Sequence, residues 1–124
     1  YGDTLSIESN YLRNRATIDG NAVNITANNG ILNEGQMMSS GDMTLYTQQT
    51  ADITNYKTIK ANGSLTMTTR YVKNGGYRCG FLNLSICNAG SLSADKLVVN
   101  SYHNYASDMG GRQQYKQAEI NTIR

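Results

Sequence analysis

One phrase recurs along this chain and constrains its fold more than any other feature. An aliphatic residue is followed two positions on by Asn, then by a small or polar residue, then by an apolar one. The copies are Leu12-x-Asn14-x-Ala16-x-Ile18, Ile31-x-Asn33-x-Gly35-x-Met37, Ile53-x-Asn55-x-Lys57-x-Ile59 and Ile86-x-Asn88-x-Gly90-x-Leu92. Val72-x-Asn74-x-Gly76 opens a fifth copy and then departs from the pattern. A second element accompanies the first: a turn with Gly or Asp, then apolar-x-apolar. It occurs at Leu5/Ile7, Val23/Ile25, Met43/Leu45, Leu65/Met67 and Leu97/Val99. Successive pairs are spaced by 18, 20, 22 and then 32 residues. Self-similarity at a period near 20 is the signature of a solenoid.

The repeat holds two short alternating segments per coil. Alternate residues of a strand face one side, so Leu12, Asn14, Ala16 and Ile18 are expected to share a side. A parallel β-helix accounts for this. Each coil lies about 4.8 Å above the last, so four to five coils make a rod about 20–25 Å long. The inward Ile, Leu, Val and Met form apolar files. Asn14, Asn33, Asn55, Asn74 and Asn88 are expected to stack as a ladder, each amide bonding to its neighbours and to backbone groups at a bend. An antiparallel sandwich would also explain alternation and glycine turns. It would not place the same residue types at the same phase in every copy.

Composition fits a solenoid. Hydrophobic residues are 39% and net charge is +2, with Ile, Val, Leu and Thr regularly placed. That is folded and β-rich rather than disordered, and a narrow inward file needs fewer apolar residues than a globule's core. Proline, which removes a ladder donor, is absent. Basic residues are scattered, without the aromatic interleaving of a nucleic-acid groove. No apolar run is long enough to span a membrane. No signal peptide is visible where the chain opens into repeat-like sequence, so either a leader has been removed or, as is favoured, this is an internal fragment. Residues 1–111 are expected to form the β-helix segment. Residues 112–124 read either as a capping helix, from Gln113 to Glu119, or as a further coil, from the alternation of Ala118, Ile120 and Thr122.

The fourth interval carries about ten extra residues, in an excursion at about residues 75–86. Both cysteines, Cys79 and Cys87, and the only Phe, Phe81, lie there. Two cysteines eight apart with no neighbouring metal-ligand His are expected to pair; two reduced core thiols are the alternative. A disulfide closing so short a loop contributes about 2–3 kcal/mol and implies an oxidising compartment. The excursion is expected to be a hairpin, or else a short coil built on Leu82-x-Leu84. Tyr is the abundant aromatic, nine copies against one Phe and no Trp. Tyr offers rigid contact area with a polar tip. Tyr71, Tyr77, Arg78, Phe81, Leu82, Tyr102, His103 and Tyr105 are therefore candidate partner-binding residues; filling half-buried strand positions is the plainer role for the tyrosines.

The repeats resemble those of filamentous haemagglutinin-like exoproteins of Gram-negative bacteria. These include large adhesins and contact-dependent growth inhibition effectors. The stretch Ile31 to Leu45, ILNEGQMMSSGDMTL, carries the likeness best, and Ile86 to Val99 and Leu12 to Ile25 share it. It covers about residues 2–100. The resemblance implies a right-handed parallel β-helix, two-partner secretion through an outer-membrane transporter, and a rod displayed outside the cell. It does not reach that family's secretion domain, which carries Asn-Pro motifs, or a toxin domain.

Catalytic and metal chemistry find little support. His103 is the single His, no Ser is marked by a nucleophile elbow, and no acidic loop has calcium-site spacing. A β-helix lyase or glycosidase needs carboxylates converging on one groove. Glu8, Glu34 and Asp52 are the acids that would line up on one face. No cofactor is expected. The expected function is a non-enzymatic extracellular stalk or adhesion segment, its partner an outer-membrane protein or glycan of a target cell. A purely structural spacer is the alternative, and end-to-end self-association through exposed strand edges is expected of a cut solenoid.

Overall fold

The computed structural model describes residues 4–79, 85–102 and 112–123. All regular structure in them is β. Each coil contributes three strands. The first coil has β1 (Thr4–Ser9), β2 (Leu12–Asn14) and β3 (Thr17–Gly20); the second has β4 (Ala22–Ala27), β5 (Ile31–Asn33) and β6 (Gln36–Ser39). The third has β7 (Met43–Tyr46), β8 (Asp52–Asn55) and β9 (Thr58–Ala61). The fourth opens with β10 (Ser64–Thr69) and β11 (Tyr71–Lys73). An antiparallel ribbon follows, β12 (Gly75–Cys79) with β13 (Ser85–Ala89), and then the long β14 (Ser91–Tyr102). The last strand is β15 (Arg112–Ile123). All pairing outside the ribbon is parallel, in the order β1-β4-β7-β10-β14, β2-β5-β8-β11 and β3-β6-β9-β14. The molecule is a parallel β-solenoid.

The apolar pairs recognised in the sequence set the register. Leu5, Val23, Met43, Leu65 and Leu97 form one inward file, and Ile7, Ile25, Leu45, Met67 and Val99 the next. Leu12, Ile31, Ile53 and Val72 line the second stack. Ile18, Met37, Ile59 and Leu92 line the third. From Val23 to Val99 these side chains are almost wholly buried, while Leu5, Ile7, Leu12 and Ile18 of the first coil are partly so. Burying each Ile, Leu or Met contributes about 1.5–3 kcal/mol.

One expectation needs correction and one alternative is decided. The Asn phrase is two strands, not one: the chain bends after Asn14, Asn33 and Asn55. Ala16 and Lys57 at the third position are exposed, and Gly35 is half-buried, so they do not share the inward side. Residues 112–123 are a strand, paired with β14 along its whole length, which is the further coil and not the helix.

The Asn ladder sits at that bend. Asn14 Nδ2 donates to Asn33 Oδ1 (2.9 Å), Asn33 to Asn55 (2.9 Å) and Asn55 to Asn74 (3.0 Å). Each of the lower three amides also donates to a carbonyl of the coil above, from Gln36, Thr58 and Ser91. Each Oδ1 accepts the N–H two residues on, from Ala16, Gly35 and Lys57. Asn33, Asn55 and Asn74 are fully buried. Buried polar groups are stable only when satisfied, and a corner exposes backbone groups that a hydrocarbon could not serve. Asn88 lies on β13, and its side chain is outside the described residues.

The other corners use different chemistry. At the first, the hydroxyls of Thr47 and Thr69 meet at 2.6 Å, both buried and both bonded to the Ala51 carbonyl. At the third, Gly20, Ser39 and Ala61 are in register. There the Ser39 hydroxyl donates to the carbonyls of Asn21 and Asp42.

Candidate binding surface

The ribbon leaves the solenoid at the Asn corner of the fourth coil. Elsewhere one residue (Arg15, Glu34 or Tyr56) separates the Asn from the position that precedes the next strand, Ala16, Gly35 or Lys57. In the fourth coil residues 75–89 stand in that place. The Asn55 corner identifies the two ends. Its amide donates to the Asn74 side chain on one side of the ribbon and to the Ser91 carbonyl on the other. Ser91 N donates to the Lys57 carbonyl (2.6 Å), as Thr58 N does to Gly35 one coil below. The fourth coil is thus a hybrid. Its first half is Val72-x-Asn74 and its second is Gly90-x-Leu92, with Ile86-x-Asn88 belonging to the insertion. Gly75, at φ 54°, turns the chain out of the coil in a conformation that side chains disfavour. Gly75 then pairs with Ala89, closing the ribbon at its base.

The backbone of Tyr77 and Arg78 lies on β12, opposite Cys87 and Ile86, and Cys79 lies opposite Ser85. The side chains of these residues fall outside the description, as do Phe81, Leu82, His103 and Tyr105 altogether. Tyr71 is half-buried at the start of β11. It follows Arg70, which binds Asp52 with both prongs of its guanidinium (2.9 and 2.7 Å). Tyr102 is the last residue of β14, at the end away from the ribbon's base.

Sequence reasoning passed over the surroundings of Tyr102. Tyr46, on the outer row of β7, shares a hydrogen bond with it. With Gln48, Gln49 and Thr50 the two tyrosines line a cleft of about 240 Å³. Burial, and then the nearby Tyr46, push the Tyr102 phenol up from its ordinary pKa. A spacing signal marks this turn: Leu45 to Ile53 is longer than Ile7 to Leu12, Ile25 to Ile31 or Met67 to Val72.

The acids named above do not meet. Glu8 lies on the outer row of β1. Glu34 is held at the Asn corner by Arg13 (2.7 Å) and Arg15 (3.4 Å). The hydrogen bond from Arg13 draws its carboxyl below the ordinary carboxylate range, against a smaller opposing effect of desolvation. Asp52 sits on the second stack in its pair with Arg70. Among the described residues no cluster of His, Cys, Asp or Glu suits a metal ion. No protein-family model, curated protein or solved structure matches the chain.

Proposed function

We propose that this chain is a non-enzymatic, extracellular stalk or adhesion segment of a bacterial surface exoprotein. The ribbon of residues 75–89 is the surface it offers to an outer-membrane protein or glycan of another cell. One observation carries the reading: the solenoid resumes register across the ribbon, from Asn74 to Ser91, so the ribbon adds nothing that stacking requires. The likeness of the repeats to haemagglutinin-type exoproteins supports display outside the cell, after export through an outer-membrane transporter. Replacing residues 75–89 by one Ser restores the plain corner. Far-UV circular dichroism should keep its β signature while adherence to target cells is lost. Full adherence of that variant would favour a spacer.

The cysteines are a separate element of this reading. Cys79 and Cys87 are offset by two residues from direct opposition. Such diagonal positions are about 7–8 Å apart in a regular ribbon, at the limit a disulfide bridges. Pairing therefore requires a tightened ribbon in an oxidising compartment. Intact mass after alkylation, with and without reductant, decides between a disulfide and two thiols.

A further inference from the structure

Basic residues scattered along the sequence are gathered by stacking at the Asn corner. Arg13 and Lys73 share one outward row of the second stack, Arg13-Leu32-Thr54-Lys73. Arg15 and Lys57 are exposed on the bend itself, between the Asn and the third stack. Coils lie about 4.8 Å apart. Arg15 and Lys57, two coils apart, therefore line one hollow of about 320 Å³ together with Glu34 and Tyr56. The ribbon leaves the solenoid at this same corner.

Among the described residues one carboxylate stands with these four cations. Glu34 meets Arg13 (2.7 Å) and Arg15 (3.4 Å) at the Nε of each, and a guanidinium has further N–H donors at its terminal nitrogens. Lys57 and Lys73 make no ion pair among the described residues. Asp52 is at the other end of β8, held by Arg70. From residue 53 to residue 94 the sequence contains no Asp or Glu, so the ribbon brings Arg78 and no negative charge.

Cations gathered on one edge raise the local positive potential and favour an anionic partner. Guanidinium forks beside a point-charge ammonium are a donor set suited to phosphate. A phosphomonoester delivers about 1.5–2 negative charges in one compact group, so it answers closely spaced cations better than a carboxylate does. The hollow is within the range of about 300–1,000 Å³ usual for ligand sites, which gives room for a phosphorylated sugar. We propose that this edge, through Arg13, Arg15, Lys57 and Lys73, binds a phosphate-bearing glycan. This rests on the reading of the chain as an extracellular binding segment and names a ligand class for the surface from which the ribbon projects.

The test is calorimetric titration of the full chain with a phosphorylated core oligosaccharide of bacterial lipopolysaccharide, freed of its acyl chains. The same oligosaccharide after dephosphorylation and a single-stranded oligonucleotide are the comparisons. The phosphorylated form should bind, and the dephosphorylated form should bind at least about tenfold more weakly. Raising the salt from about 0.01 M to about 0.15 M should weaken binding severalfold. Arg15→Gln and Lys57→Gln should each cost about three- to tenfold with unchanged circular dichroism, and Lys116→Gln, on β15, should cost nothing. Glu34→Gln should tighten binding about two- to threefold, a direction that loss of a merely structural contact would not produce. Equal binding of the two oligosaccharide forms, preference for the oligonucleotide, or unaltered binding by folded Arg15→Gln and Lys57→Gln would overturn the proposal. The chain with residues 75–89 replaced by Ser keeps all four cations and should still bind, so the titration and the cell-adherence assay fail independently.

Discussion

The Asn corner of the third coil and that of the fourth perform the same task with very different lengths of chain. In the third, Tyr56 alone bridges Asn55 to Lys57; in the fourth, residues 75–89 bridge Asn74 to Gly90. Yet Asn55 finds its upper partners at 3.0 and 3.1 Å, close to the 2.9 Å values at Asn33. What defines a coil is therefore the coil beneath it, and sequence continuity matters little. The energetics agree. Closing a longer loop costs only about 0.6 kcal/mol per doubling, or about 2 kcal/mol here. Breaking a buried amide network costs more than that.

The sharpest way to break this comparison is Asn33→Ala. It strips the ladder of an interior rung and leaves the Gly35 N–H and the Thr58 carbonyl without their amide partner. The expected loss is about 4 kcal/mol in denaturant unfolding, against about 1–2 kcal/mol for Asn14→Ala at the end rung. Equal effects would mean that the ladder is not a coupled stack. Next is Gly90→Ala. A Cβ there would collide with the Asn55 carbonyl and the Asn74 side chain, whereas the matching position one coil below is Lys57 and open to solvent. A loss of about 2–3 kcal/mol is expected from this overpacking. Replacing the ribbon by Ser should move stability the other way, by about 0–2 kcal/mol, as the loop-closure cost is removed; marked destabilisation would make the ribbon part of the fold.

The smallest effect belongs to Glu34, at the same corner. Its carboxyl is drawn down by Arg13, so its stabilising pairing is present above the ordinary carboxylate pKa and lost as pH falls through the lowered one. Melting temperatures of wild type and Glu34→Gln, compared from about pH 7 to about pH 3, should differ slightly at the upper end and converge at the lower. The pair is exposed, so added salt should shrink the gap.

Much of this was legible in the sequence, because inward files depend on residue type at fixed phase. Leu5 to Leu97 and Ile7 to Val99 are the rows their spacing predicts. The bend after each Asn was not legible. Alternation continues through the corner as though the strand did, and only the amide's reach to carbonyls of two coils reveals the turn. The hybrid coil was hidden for a related reason. Ile86-x-Asn88-x-Gly90-x-Leu92 is a complete copy on paper, but pairing gives its first half to the ribbon and its second to the solenoid. The cleft at Tyr46 and Tyr102 joins β7 to the end of β14; the long Leu45–Ile53 interval marks its turn but not its partner across the coils.

The amides of Asn14, Asn33 and Asn55 all donate in the same direction, towards the C-terminal end. The ladder is thus vectorial. A completed coil presents an N–H to the next Asn carbonyl, so a chain emerging in order meets a waiting donor at each step. Residues 75–89 leave and re-enter the coil between Asn74 and Gly90 without interrupting that run of donors.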